Sequence, residues 1–435
     1  MKNLSRLRRK IDQRAATVGV IGQGYVGLSL SAAVANAGMS AIGIDTDCDR
    51  IASLGDGRLD VAGVDEAQVM LAISTGRLSF STDPASIAQA DVVVICVPTP
   101  VADRRPDLSA IQEAGASVTP YLQSGTLVVL ESTTYPGTTE QVLLPLLEAG
   151  GLRCGRDFLV AYSPERIDPG NRKFGLHNVP RIVGGVSQEA TDAAAAFYDT
   201  FVESVHVVSS CRAAELAKLL ENTFRMVNIA LVNELAQLCA EQGIDTWEVI
   251  EAASTKPFGF MPFYPGPGVG GHCIPLDPAY LTWQSRRDTG RPYRLVETAM
   301  DINQAMPEYI VTRIGEALNE RGRALRGARI LCLGVTYKAD VGDLRESAAV
   351  AVVERLHRKG ADVRFHDPFV DRLELGGTAR RRVALTSAAV AASDCVALLT
   401  PHESYDLEWL LDRSELIFDA RNALAGRRRS GVVVL

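Results

Sequence analysis

The sequence predicts an α/β protein, in which two Rossmann-like doubly wound domains are joined by a central helical region with a long bridging helix. Three observations predict it. A β-branched run, Thr17 to Ile21, leads into a glycine-rich turn and a helix of small apolar residues. An apolar stripe of helical period runs from about Cys211 to Gln242. A second series of short apolar runs, separated by helical stretches, begins near Ala328. The boundaries read as 1–210 for the first domain, 211–315 for the central region and 316–435 for the last domain.

Thr17 to Ile21 has the composition of a buried parallel strand. It opens into Gly22-Gln23-Gly24-Tyr25-Val26-Gly27, and the following helix ends at Gly38. The next strand, Ala41 to Ile44, ends in Asp45, 23 residues after Gly22. Gly22 allows the tight turn, Gly24 lets the backbone approach a pyrophosphate, and Gly27 lets helix and strand pack closely. The helix N-terminus faces the phosphates. Asp45 can accept both ribose hydroxyls, which favours NAD, because a 2′-phosphate would meet its charge. Arg50, one turn on, can either stack on adenine or select a phosphate. Further strands, Asp91 to Val97 and Thr126 to Leu130, end at Pro98-Thr99 and at Glu131-Ser132-Thr133. The hydroxyls of Thr99 and Thr133 either face the nicotinamide or cap the following turn.

Composition narrows the function classes. The chain has 435 residues, 22% of them charged, and a formal net charge of -7, which argues against nucleic-acid binding. Eight widely spaced cysteines without a CxxC pair fit neither a disulfide framework nor a zinc site, and point to a reducing cytoplasm. The basic start, Met1 to Arg14, reads as a solvated tail rather than a signal peptide. No apolar stretch reaches about 18 residues, so no membrane span is expected.

The chemistry lies in the middle. Glu165 follows the apolar run Phe158 to Ala161, a common place for a catalytic carboxylate, with Arg166 beside it. Within the long helix the stripe comprises Leu216, Leu219, Leu220, Phe224, Val227, Leu231, Leu235 and Leu238. Lys218 and Asn222 sit at i and i+4 and share a face. Spacing alone reads them as a solvent-facing pair, although on a rigid helix they can steady a developing alkoxide. The segment Phe263 to Pro278 is rich in glycine and proline; its free backbone amides can wrap an anion, and it delivers Cys273 with Asp277 four residues on. A helical turn starting after Gly271 would favour the Cys273 thiolate. The other cysteines mostly sit in apolar stretches. Tyr264, Gly266, Gly268 and Gly270, in the same loop, are candidates for substrate binding.

These motifs resemble the UDP-glucose/GDP-mannose dehydrogenase family of four-electron sugar-nucleotide dehydrogenases. The carriers are Gly22 to Gly27, Ser163-Pro164-Glu165, Glu215-Leu216-x-Lys218-x-x-x-Asn222, Gly270-Gly271-x-Cys273-x-x-x-Asp277, and Tyr337-Lys338-x-Asp340-x-Gly342-Asp343-x-Arg345-Glu346-Ser347. The resemblance covers nearly the whole chain. It implies that Cys273 is the nucleophile, that Lys218 and Asn222 hold the oxyanion, and that Asp277 assists with base chemistry and water. It implies Glu165 in thioester hydrolysis and Thr133 near the nicotinamide. It implies that the last domain binds uridine diphosphate, with Lys338 and Arg421 near the substrate and Arg345 reaching the NAD side. It also implies a homodimer or higher oligomer formed through the central region, and no resident metal.

The sugar follows from departures. Glucose-type enzymes carry a second Glu four residues after the position of Glu165, where this chain has Pro169. They place an arginine upstream of the nucleophile loop, where this chain has Pro257. The segments around Asp168, Phe263 and His272 to Pro278 look more like the UDP-N-acetylglucosamine 6-dehydrogenase branch. UDP-N-acetylglucosamine therefore ranks first, UDP-glucose second and UDP-N-acetylmannosamine third. Two rival classes remain open at this point: a two-electron dehydrogenase of the hydroxy-acid type, and a non-catalytic nucleotide-sensing protein.

Overall fold

The structure, a computed structural model, describes residues 2–59, 61, 63–102, 105–168, 171, 173–271, 274–427 and 429–435. The chain forms two compact units, Met1–Glu221 with Ala279–Asp288, and Asn222–Pro278 with Thr289–Leu435.

The first unit is built on strands β1 (Thr17–Ile21), β2 (Ser40–Ile44), β3 (Leu78–Ser81), β4 (Val92–Ile95), β5 (Leu127–Leu130), β6 (Leu159–Tyr162), β7 (Arg181–Gly185) and β8 (Val205–Val207). They lie side by side in the order β8-β7-β6-β5-β4-β1-β2-β3. The portion β3-β2-β1-β4-β5-β6 is parallel and follows the doubly wound order of dinucleotide-binding folds. β7 pairs antiparallel to β6. Successive residues of β4 feed opposite faces, Val92 and Val94 one core, Val93 and Ile95 the other. Both faces are covered, which is why these strands read as continuous apolar runs rather than alternating ones.

One expectation is corrected. The basic N-terminal arm is not a solvated tail: Lys2–Asp12 is a helix, and Leu7 and Ile11 are buried in the first core. Lys10 also ion-pairs with Asp91 at 2.6 Å. Leucine and isoleucine at i and i+4 gave the arm an apolar stripe, and burying that stripe outweighs the solvation preference of its outer face.

The second unit carries β9 (Arg329–Leu333), β10 (Asp362–His366), β11 (Cys395–Leu398), β12 (Ile417–Asp419) and β13 (Val432–Val434). The order β10-β9-β11-β12-β13 is parallel throughout, the flavodoxin-like version of the doubly wound sheet. Helices Arg294–Asn319 and Ala348–Arg358 cover one face through Ile310, Ile314, Val352 and Leu356.

The long helix spans Cys211–Gln242, 32 residues. Its stripe divides. Leu219 is buried, whereas Leu216, Leu220, Phe224, Leu231 and Leu238 are exposed, Leu220 and Leu231 at 61% and 62%.

Candidate active site

The glycine turn is built for close approach. A Cβ on Gly27 would overlap the Gly22 carbonyl oxygen, so the helix Tyr25–Asn36 starts hard against β1. Gly24 is its N-cap and has no side chain to satisfy the first amides, which leaves them for an anion. Tyr25 and Val26 form the half-buried first turn. Gln23 is fully buried and stiffens the turn. Its Nε2 donates to the Val20 carbonyl at 2.9 Å, and Ser31 donates to its Oε1 at 3.2 Å. Asp45 stands past the end of β2, where its Oδ2 accepts from the Gln23 amide at 2.7 Å and from Arg50 Nη1 at 3.1 Å. Arg50 is thus held by acids, being 3.5 Å from Asp47 as well. Pro98 is exposed, and the Thr99 hydroxyl donates to the Thr133 carbonyl at 2.7 Å. That bond ties together the two loops that follow β4 and β5. Tyr280 donates its hydroxyl to the Thr99 carbonyl, and Gln284 its amide to the Pro136 carbonyl at 2.8 Å, so the helix Asp277–Thr289 braces both loops. An uncapped helix start beyond a glycine turn, with an acid at the neighbouring strand end, fits NAD.

Glu165 is buried, 8% exposed, just past β6. Its Oε1 accepts from the Arg166 and Ile167 amides, both at 2.6 Å, and its Oε2 from Arg181 Nη1 at 2.9 Å. Arg166 turns instead to Glu221, at 2.8 Å.

Lys218 and Asn222 are buried, 7% and 8% exposed, which corrects the solvent-facing reading of their spacing. Spacing fixes which residues share a helix face but not what that face meets. No hydrogen bond or ion pair joins Lys218 to a described residue. Asn222 Nδ2 donates to Asp277 Oδ2 at 2.5 Å. Glu215, on the same helix, is structural. It accepts from the Gly137 and Thr139 amides at 2.6 and 2.9 Å and from the Thr139 hydroxyl at 2.6 Å. Burial raises its pKa against those donors.

The glycine-rich loop is held by a side chain and a backbone carbonyl of the second unit. The Gly266 amide donates to Asn233 Oδ1 at 2.9 Å, and the Gly271 amide to the Arg345 carbonyl at 3.1 Å. Two amides expected to wrap an anion are therefore committed to protein acceptors. A Cβ on Gly266 would overlap the Arg421 guanidinium, which burial pulls down to about 10. Gly268 is buried and Gly270 half-buried against Tyr337. Tyr264 is half exposed and stacks on Trp247 at 5.6 Å. Arg345 pairs with Asp343 in its own loop at 2.7 Å. Cys273 and His272 lie outside the described residues.

Lys338 sits on a loop fixed by a buried histidine. His402 Nδ1 accepts from the Asp340 amide at 2.9 Å, so the proton belongs on Nε2, which donates to Asp367 Oδ2 at 3.0 Å. Asp367 also accepts from the Val335 and Thr336 amides at 2.7 and 3.2 Å.

Sequence reasoning missed Arg181, Glu131, Gln23, Asn233 and His402. Arg181 and Glu131 did leave a trace, as lone charges flanking otherwise apolar strands, but nothing along the chain announces that they meet.

Comparison with known proteins agrees with this geometry. The NAD binding domain of the UDP-glucose/GDP-mannose dehydrogenase family matches residues 16–202, its central domain 212–305 and its UDP binding domain 331–426. The chain is 35% identical to NDP-N-acetyl-D-galactosaminuronic acid dehydrogenase of Ralstonia nicotianae, over 97% of this chain and 99% of that one. It is 37% identical to UDP-N-acetyl-D-glucosamine 6-dehydrogenase of Pseudomonas aeruginosa, over 81% and 83%. The structure of the UDP-D-ManNAc dehydrogenase from Pyrococcus horikoshii superimposes with a TM-score of 0.87 at 33% identity, covering 96% of this chain and 98% of that one. A dinucleotide turn, a UDP binding domain and relatives matched over most of their length all lead to one conclusion: the chain belongs to the UDP-glucose/GDP-mannose dehydrogenase family and is an NAD-dependent UDP-sugar dehydrogenase.

Proposed function

We propose that the protein oxidises the C6 hydroxyl of a UDP-N-acetylhexosamine, UDP-N-acetylglucosamine first, to the uronic acid through a covalent Cys273 intermediate. The observation that carries the reading is the buried pair Lys218 and Asn222 on one rigid helix, with Asn222 bonded to Asp277, four residues past the nucleophile. N-acetylated sugars appear in the names of all three relatives above, which supports an acetamido substrate. Pro169 and Pro257, standing where glucose-type enzymes carry Glu and Arg, support it independently.

NAD, when bound, would supply the hydride acceptor, and two NAD molecules are consumed per sugar. The Cys273 thiolate adds to the C6 aldehyde, forming a C–S bond and placing the electron pair on oxygen. Lys218 and Asn222 stabilise that oxygen. The thiohemiacetal holds the carbon tetrahedral for the second oxidation, and the resulting thioester cannot diffuse away. Water then attacks the acyl carbon, the C–S bond breaks, the thiolate leaves with its electron pair, and a proton passes to Glu165. Overall, alcohol and water give carboxylate, two hydrides and three protons. Thr133 and Thr99 shape the nicotinamide end, Arg345 serves the same side, and Asp277 assists with the water. Arg166, Tyr264, Gly266, Gly268, Gly270, Lys338 and Arg421 hold the sugar nucleotide.

Leu216, Leu220, Phe224, Leu231 and Leu238 form an exposed apolar row on the long helix, which supports a homodimer through that face. No helix among the described residues is long and apolar enough to cross a membrane. The seven described cysteines are unpaired, which supports a cytoplasmic site of action.

The test is NADH released per sugar across UDP-N-acetylglucosamine, UDP-N-acetylmannosamine, UDP-N-acetylgalactosamine and UDP-glucose. Two NADH per UDP-N-acetylglucosamine, with the highest kcat/KM in the panel, is expected. One NADH would point to two-electron chemistry, and none on any sugar to a nucleotide sensor.

A further inference from the structure

Three neighbouring strands of the first unit bring charge to one buried point. In the β6–β7 pairing, Ala161 faces Gly185 and Tyr162 faces Gly184, so the same register carried onward sets Glu165 opposite Arg181. In the β5–β6 pairing Leu130 faces Tyr162, so Glu131 falls opposite Ser163. The side chains complete what the register begins. Arg181 is 3% exposed; its Nε donates to Ser163 Oγ at 3.1 Å, its Nη1 to Glu165 Oε2 at 2.9 Å, and its Nη2 lies 2.5 Å from Glu131 Oε1. Tyr198 donates to that same Glu131 oxygen at 2.5 Å, and its ring lies 5.0 Å from the guanidinium carbon. Cys96 Sγ stands 3.7 Å from Glu131 Oε2.

The arrangement is costly for stability alone, since an apolar trio of the same volume would avoid desolvating three charges. It does fix Glu165. With one oxygen on two backbone amides and the other on Arg181, the carboxylate cannot rotate. Burial raises Glu131, while Glu131 and Glu165 together raise Arg181 well above its ordinary value despite burial, so the guanidinium stays charged.

We propose that Arg181, seated by Glu131, Ser163 and Tyr198, is a positioning residue that locks the Glu165 carboxylate in the orientation from which it takes the proton of the hydrolytic water. The proposal rests on the covalent mechanism above and assigns Arg181 to its last step alone.

The test separates that step from the earlier ones, using the full-length protein with NAD and UDP-N-acetylglucosamine. Arg181→Lys keeps the charge and loses the fork that reaches Ser163 and Glu165 together. The expected result is kcat lowered by about ten- to a hundredfold, KM for the sugar lowered in step so that kcat/KM changes little, an intact pre-steady-state burst of NADH, and an acyl adduct accumulating on the chain by intact mass. A burst lost in step with kcat, or no adduct, would overturn the proposal, since a structural defect slows every step alike. If Arg181→Lys fails to fold, Ser163→Ala removes one acceptor of the guanidinium and must show a smaller rise of the same adduct; its absence would count equally against the idea. If the unaltered protein yields one NADH per sugar and no adduct on quenching, the covalent mechanism itself fails, a distinct outcome.

Discussion

Asn222 donates its side-chain amide to Asp277 Oδ2 at 2.5 Å, and both side chains are buried. The bond links the long helix to the segment that leaves the glycine-rich loop. It leaves Asn222 with a second N–H for an oxyanion. Asn222→Ala removes the donor and with it the hydrogen bond to Asp277. The expected loss is about a hundredfold in kcat with NAD binding retained, a usual cost of deleting an oxyanion donor. Stopped-flow NADH formation and NAD titration check it; unchanged kcat would remove Asn222 from the oxyanion role.

Cys273→Ser tests the covalent step. A serine hydroxyl is a far weaker nucleophile than a thiolate at neutral pH. Steady release of two NADH per sugar is expected to vanish, while calorimetry still detects UDP-sugar binding. Sustained full turnover would end the covalent mechanism.

The Asp45–Arg50 pair is expected to set cofactor choice. Asp45 occupies the Arg50 guanidinium and would repel a 2′-phosphate. In Asp45→Ser the arginine keeps only its 3.5 Å pairing with Asp47, and the repulsion of a 2′-phosphate is removed. The ratio of kcat/KM for NAD over NADP is expected to fall by at least about tenfold, or about 1.4 kcal/mol. A ratio that stays put would mean Asp45 does not face the ribose.

The exposed leucines of the long helix predict assembly. Leu220→Asp combined with Leu231→Asp places two charges on the apolar row. Light scattering is expected to give a dimer for the unaltered chain and a monomer for the double variant. A dimer surviving both substitutions would move the interface elsewhere.

Asp367 gives a pH dependence to stability. Burial pushes its pKa up, but the His402 hydrogen bond and the Val335 and Phe369 amides outweigh it, so the folded value lies below 3.8. A carboxylate depressed on folding contributes stability that is complete above its unfolded pKa and is lost as pH falls through the folded one. Thermal midpoints should therefore drop on acidification below about pH 4. Asp367→Asn should be less stable at pH 7, by about 1–3 kcal/mol, and should drop less steeply. Parallel curves for the two proteins would exclude the contribution.

Local pattern determined much of this protein. The glycine turn from Gly22 to Gly27 with Asp45 beyond it, the alternation of strands and helices and the long helical stripe are written in short-range periodicity, because backbone sterics and burial act over a few residues. The family could be read the same way, from motifs each contained in one loop or one helix turn. What the chain could not disclose was who meets whom. Lys218 and Asn222 read as a solvent-facing pair until packing buried them, Lys2–Asp12 read as a tail until Leu7 and Ile11 found the core, and two loop amides read as an anion cradle until Asn233 and the Arg345 carbonyl took them. Asn222, free to face a ligand as far as its helix could tell, is tied to Asp277 from 55 residues away. Glu165 was visible, but its partner was not, since Arg181 reaches it only through an antiparallel register set across the sheet. Side-chain type and spacing are properties of the chain; desolvation and pairing of charges depend on distances that exist only once distant strands have come together.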